Sequence, residues 1–151
     1  MSIMDDVDLL RRIPMFAKID PPKLKLLAFT SERVTFEAGQ ELFHQGDSGD
    51  AAYIIVEGST EVLLDSPQGP VAVARLGTNS LVGDMAILCD MPRTATVKAV
   101  TPVTTLKISK DLFFRMVTDF PSMGIEVMRE LAYRLEKTTA ELRDAKARLG
   151  A

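Results

Sequence analysis

The chain has 151 residues and a formal net charge of −3, with 46% of its residues hydrophobic and 26% charged. That length holds one domain with a real core, the balance excludes wholesale disorder, and the missing basic excess argues against direct nucleic-acid binding through a cationic face. One cysteine, Cys89, and one histidine, His44, exclude an internal disulfide, a thiolate-held zinc or iron–sulfur cluster and a multi-histidine metal site.

From the N-terminus, residues 5–31 read as helical. Asp5 and Asp6 stand where a helix start favours acids, and Arg11 and Arg12 where its end favours bases. Pro14 stops this helix. Pro21-Pro22 opens a second, from Lys23 to Ser31, with Leu24, Leu27 and Ala28 on one face. A secretory signal would carry positive charge where Asp5, Asp6 and Asp8 stand. No later window approaches the ~18 uninterrupted apolar residues of a membrane span. A cytoplasmic protein with no membrane partner is expected.

Residues 33–108 read as short strands. Tyr53-Ile54-Ile55-Val56, Glu61-Val62-Leu63-Leu64 and Val71-Ala72-Val73-Ala74 are rich in β-formers, and turn residues such as Gly39, Gly46-Asp47, Gly58, Pro67-Gln68-Gly69-Pro70 and Gly77 separate them. Regular short strands with this punctuation predict an antiparallel sandwich or barrel. Residues 110–149 return to helix. Ser109 is placed to cap a helix running to about Thr118, and Pro121 suits the first turn of a long one. The whole chain, 1–151, reads as one domain.

The chemistry concentrates in Gly83-Asp84-Met85-Ala86-Ile87-Leu88-Cys89-Asp90-Met91-Pro92-Arg93-Thr94-Ala95. Gly83 permits close backbone approach. Arg93 lies among Pro92, Thr94 and Ala95 rather than in a solvated charge run, and an arginine fork in an apolar β context needs an anionic partner. That partner is either a phosphate, helped by backbone N–H groups near Ala86 and Ala95, or an internal carboxylate, Asp84 or Asp90.

With these residues in view, the chain resembles the cyclic nucleotide-binding domain family of catabolite-activator-type regulators, kinase regulatory subunits and nucleotide-gated channels. The likeness covers roughly residues 9–142. Gly83-Asp84-Met85-Ala86 and Pro92-Arg93-Thr94-Ala95 match the two halves of the family's phosphate-binding cassette at its internal spacing. Phe43-His44-Gln45-Gly46-Asp47-Ser48-Gly49-Asp50 and Tyr53-Ile54-Ile55-Val56-Glu57-Gly58 match upstream. The resemblance implies an α+β fold: an antiparallel β-roll or jelly-roll barrel with N-terminal helices and a long C-terminal helix. It implies that Arg93, Thr94 and backbone groups at Ala86 and Ala95 hold a cyclic phosphate. Gly83 and Asp84 would take the ribose, and Val82, Thr94, Arg134 or Tyr133 would meet the base. Arg134 follows Arg93 at the distance where channel-type relatives carry a base-capping arginine. Thr94 occupies a position that tolerates guanine in the family, while the bacterial look of the chain favours cAMP over cGMP.

One residue departs from the family pattern. Asp84 replaces a glutamate and is one methylene shorter, which predicts a weakened ribose contact, improved by Asp84→Glu.

The C-terminal helix carries an apolar seam, Met128, Leu131, Leu135, Thr138, Leu142, Ala145 and Leu149, spaced alternately three and four. Its first half, Met123 to Leu131, is expected to pack on the barrel. Leu131, Leu135, Leu142 and Leu149 are expected to form a coiled-coil homodimer. Glu130 and Arg134 sit at the i,i+4 spacing that stabilises a helix.

No histidine–nucleophile set or metal cluster is present, so a non-enzymatic sensor is expected, with no cofactor beyond its ligand and with an unidentified effector protein downstream. Two rivals stand beside it. One is the sensor half of a DNA-binding regulator, lacking or cut before its helix-turn-helix. The other is a scaffold that kept the fold and lost the ligand. Haem or redox sensing through His44 or Cys89 is disfavoured, with Cys89 expected as a small packing residue.

Overall fold

The computed structural model describes residues 3–14 and 16–150; Met1, Ser2, Met15 and Ala151 lie outside the described residues. Two helices open the chain, α1 (Ile3–Arg11) and α2 (Pro21–Thr30). The expected stop at Pro14 and restart at Pro21-Pro22 are both present, and Leu24, Leu27 and Ala28 are the buried face of α2.

Eight strands follow: β1 (Glu32–Phe36), β2 (Glu41–Phe43), β3 (Ala51–Glu57), β4 (Thr60–Leu64), β5 (Val71–Leu76), β6 (Leu81–Val82), β7 (Thr96–Ala99) and β8 (Val103–Ser109). They form two four-stranded sheets, ordered β1-β8-β3-β6 and β2-β7-β4-β5. Every strand pair is antiparallel. A single-turn helix, α3 (Asp84–Leu88), interrupts the strand run between β6 and β7. α4 (Lys110–Asp119) and α5 (Pro121–Gly150) close the chain. Ser109 caps α4 by accepting a hydrogen bond from the Leu112 N–H at 3.1 Å, as its position predicts.

The first sheet is buried on both sides. Along β3, Ala52 and Ile54 face a helical layer containing Leu10, Phe16, Leu24, Phe113, Met116, Met123 and Val127. The alternate residues Ala51, Tyr53 and Ile55 face the space between the sheets, with Leu42, Val82, Val97, Ala99 and Val103. Period-2 side-chain alternation therefore divides one strand between two cores.

α5 uses its first half as expected. Met123 and Val127 are buried and Leu131 packs against the helical cluster. Further along, Leu135 is 69%, Leu142 57% and Leu149 88% exposed. Asp6 near the N-terminus is buried and accepts a 2.7 Å bond from Arg33 on β1, tying α1 to the first sheet.

Candidate functional site

Gly83 is the N-cap of α3 and sits at φ +82°, a left-handed conformation that glycine adopts without steric cost. It also has no room for a side chain: a Cβ there would lie 2.5 Å from Arg93 Nη1 and 3.0 Å from the Phe43 ring. The same compactness holds across the cassette, where a Cβ on Gly49 would collide with Ala86. The loop carrying Arg93 is pinned to the loop after β2 by two backbone bonds, Arg93 N–H to Asp47 O at 2.8 Å and Gly46 N–H to Arg93 O at 2.9 Å.

From that anchor the Arg93 side chain runs inward, 2% exposed. Its Nη1 donates to Gly83 O at 2.8 Å and its Nη2 to Ala51 O at 2.6 Å. The guanidinium stacks 4.1 Å from the centroid of the Phe43 ring. Its Nε is buried and has no hydrogen-bond partner among the described residues. The internal ion pair that the sequence left open does not form with either named acid. Asp84 pairs with Arg134 instead, and Asp90 accepts from Lys110 at 2.9 Å. Among the described residues the carboxylate within 4.0 Å of Arg93 is Asp50, 3.9 Å away and 83% exposed. Burial lowers the Arg93 pKa, and Tyr53, Asp50 and Asp47 only partly offset it. A buried guanidinium held by neutral carbonyls and a ring, with a donor unused, is a cation prepared for an anion.

Val82, Gly83, Asp84, Ala86, Arg93, Thr94 and Ala95 all line one cavity of about 180 Å³. The sequence missed most of its apolar wall. Val62, Leu76, Leu81 and Val97 come from four strands that only the closed fold brings together, and no local motif marks them. A neighbouring cavity of about 370 Å³ shares Leu76 and Leu81 and is bounded by Glu130 and Arg134 of α5. Arg134 therefore stands beside the first cavity. Tyr133 does not reach it: its side chain lines neither cavity and it is 64% exposed.

Asp84 is 4% exposed. Its Oδ2 accepts a 2.8 Å bond from Arg134 Nη1, and Arg134 Nε donates to Glu130 Oε1 at 3.3 Å. Burial works against the Arg134 charge, but the two carboxylates outweigh it and raise its pKa above the ordinary value.

Cys89 departs from expectation. It is exposed, at the C-cap of α3, rather than packed. Its N–H still closes the last turn of α3 by donating to Met85 O at 3.0 Å. His44 is an exposed residue paired with Glu41 through Nδ1 at 3.0 Å. Among the described residues no group of three or more His, Cys, Asp or Glu could hold a metal ion, and no helix is long and apolar enough to cross a membrane.

Two sheets around a buried, anion-seeking arginine define a small-ligand binding domain of jelly-roll type. Residues 33–120, more than half of the chain, match the model of the cyclic nucleotide-binding domain. The chain belongs to the cyclic nucleotide-binding domain family. It is 28% identical over 142 residues to the CRP-like cAMP-activated global transcriptional regulator of Mycobacterium tuberculosis, covering 93% of this chain and 62% of that protein. It is 35% identical to the N-terminal domain of a transcriptional regulator from Streptomyces coelicolor, covering 87% of this chain and 94% of that one with a TM-score of 0.75. It is 25% identical to the regulatory domain of Toxoplasma gondii PKA solved with cAMP, covering 78% and 45%, with a TM-score of 0.74. The chain thus spans about three fifths of the bacterial regulator.

Proposed function

We propose that this chain is a cyclic-nucleotide sensor whose long helix α5 reports occupancy of the barrel to a partner. The observation that carries the reading is Arg93, buried, with its Nε donor unused among the described residues and a single solvent-exposed carboxylate, Asp50, 3.9 Å away, in a cavity that also holds Asp84. A cyclic phosphate supplies the missing negative charge, and backbone N–H groups at Ala86 and Ala95 add donors. The ribose lies against Gly83 and Asp84. The base extends between the apolar wall and α5, where Thr94, Val82 and Arg134 meet it. The cavity of about 180 Å³ is below the ~300–1,000 Å³ usual for ligand sites, so the base needs the adjoining space beneath Arg134.

cAMP is favoured over cGMP. The Mycobacterium tuberculosis regulator is cAMP-activated by name and the Toxoplasma gondii domain was solved with cAMP. α5 supplies the output, because a ligand shifts a helix only through contacts that differ between its two positions. The exposed Leu135, Leu142 and Leu149, continuing from Leu131, form a homodimer seam. The likeness to transcriptional regulators favours a second reading of the output, in which this chain is the sensor half of a DNA-binding regulator.

Calorimetric titration with cAMP and cGMP tests the ligand. Binding of cAMP with the greater affinity is expected. A folded chain that takes up neither would leave only the ligand-free scaffold.

A further inference from the structure

The Asp84–Arg134–Glu130 chain of charges joins the cavity to α5. Asp84 opens α3, with its side chain 5% exposed at the cavity wall. Arg134 takes Oδ2, so among the described residues Oδ1 is left without a hydrogen-bond donor. Glu130, one turn earlier on α5 and with its side chain 19% exposed, takes Arg134 Nε. A guanidinium is planar and its donors keep fixed mutual angles. Holding Nε on Glu130 therefore sets the direction in which Nη1 meets Asp84.

Resting on the cyclic-nucleotide reading above, we propose that Arg134 and Glu130 are positioning residues for ribose recognition: they fix the Asp84 carboxylate so that Oδ1 accepts the ribose 2′-hydroxyl. The proposal explains how the short aspartate serves where a longer side chain would reach further. A lone aspartate at a cavity wall can rotate about its side-chain bonds and turn to water. With Oδ2 held at 2.8 Å by a cation anchored on α5, Oδ1 keeps one direction. The cation also gives a partner to a carboxylate whose side chain is 5% exposed, and a carboxylate acceptor makes the stronger hydrogen bond. Without Arg134, Asp84 would be a buried carboxylate that has lost its ion-pair partner and is free to reorient. The 2′-hydroxyl then loses its aimed acceptor. The same link makes α5 and the ribose site interdependent: undocking the helix removes the support of the carboxylate.

The test compares cAMP with 2′-deoxy-cAMP, by calorimetry, on the full chain and on Arg134→Gln, Arg134→Lys and Glu130→Gln, with circular dichroism confirming the fold of each. The wild type is expected to prefer cAMP over the deoxy compound by on the order of tenfold, the value of one charged hydrogen bond. Arg134→Gln is expected to bring that ratio close to one, whatever uniform loss accompanies it. Arg134→Lys should keep part of the ratio as a point charge, and Glu130→Gln should lower it without abolishing it. A ratio unchanged in Arg134→Gln would make the ion pair purely structural and overturn the proposal. Tighter cAMP binding in that variant would overturn it too, since Arg134 would then compete with the ribose. A wild-type ratio of one would remove the ribose contact itself. A folded wild type that binds neither nucleotide overturns the underlying nucleotide reading, a result distinct from all of these.

Discussion

Arg93 is the residue proposed to hold the ligand phosphate, and its surroundings say how it responds to substitution. Both Nη atoms are spent on main-chain carbonyls, Gly83 O and Ala51 O, which orient the fork without neutralising it. Arg93→Ala is expected to abolish cyclic-nucleotide binding in a calorimetric titration. Arg93→Lys should bind far more weakly, because an ammonium cannot reach two carbonyls and a phosphate at fixed angles. Alanine-variant binding equal to wild type would remove the pocket from consideration. Gly83 gives a second prediction at this scale. Alanine at φ +82° costs roughly 1–2 kcal/mol from the left-handed backbone alone, and its Cβ would press on Arg93 Nη1. Gly83→Ala should therefore lower the melting temperature and weaken nucleotide binding together. The sequence made Arg93, Gly83 and the cassette alanines legible because their chemistry is local: a glycine turn, a proline and an arginine in an apolar setting. It left the partner of Arg93 open between phosphate and carboxylate. The structure resolves the protein side of that choice through Arg134, which comes from 50 residues beyond Asp84 and takes its carboxylate. A pairing over that separation depends on where α5 lands, which no local pattern encodes.

Among the elements, the strands explain why the sheet was visible and its interior was not. β3 is buried from Ala51 through Ile55, so apolar residues run without alternation. A run of that kind marks a strand covered on both faces, and the identity of each covering layer follows only from the tertiary fold. β5, by contrast, is exposed along most of its length and lies at the edge of its sheet. Helix boundaries were readable because Pro21, Ser109 and Pro121 are start signals with a physical cause. Near β2, His44 carries a pH prediction. Its bond to Glu41, reinforced by the charges of Glu41, Asp47 and Asp65, raises its pKa above 6.5. A group whose pKa is raised on folding stabilises the fold fully below its unfolded value. It loses that contribution as pH climbs through the folded value, so the effect falls away above about pH 6.5. The ring is exposed, so salt screens the interaction. An NMR titration should place the His44 midpoint above 6.5 in the wild type, and Glu41→Gln should move it down towards 6.5. A midpoint that does not respond to the substitution would dissociate His44 from Glu41.

At the scale of the whole molecule the outstanding question is what covers the second half of α5. The helix has 30 residues, about 45 Å at 1.5 Å per residue, and its buried side chains are Met123 and Val127, both in the first two turns. Past Arg134 it has left the barrel. A helical segment of this length is marginal alone in water, because helices of fewer than about 12–15 residues lack the propagation to offset nucleation and longer ones are held mainly by packing. The exposed leucines at 135, 142 and 149 recur every seven residues, the spacing that keeps one seam facing a partner helix. Thr138 and Ala145 between them are small or polar and weaken the seam. The expected result is a homodimer that dissociates in the micromolar range rather than an obligate one. Sedimentation of the wild type should show a concentration-dependent dimer. Leu135→Glu combined with Leu142→Glu should give monomer at every concentration while the barrel still melts cooperatively, because neither leucine is part of the buried clusters. The proposed support of Asp84 by Arg134, one residue before Leu135, adds a further expectation. If the dimer steadies this stretch of α5, the double variant should bind cAMP more weakly than wild type, and nucleotide should in turn favour the dimer, since coupling between two binding events is reciprocal. Equal nucleotide affinity in monomer and dimer would separate the seam from the sensor.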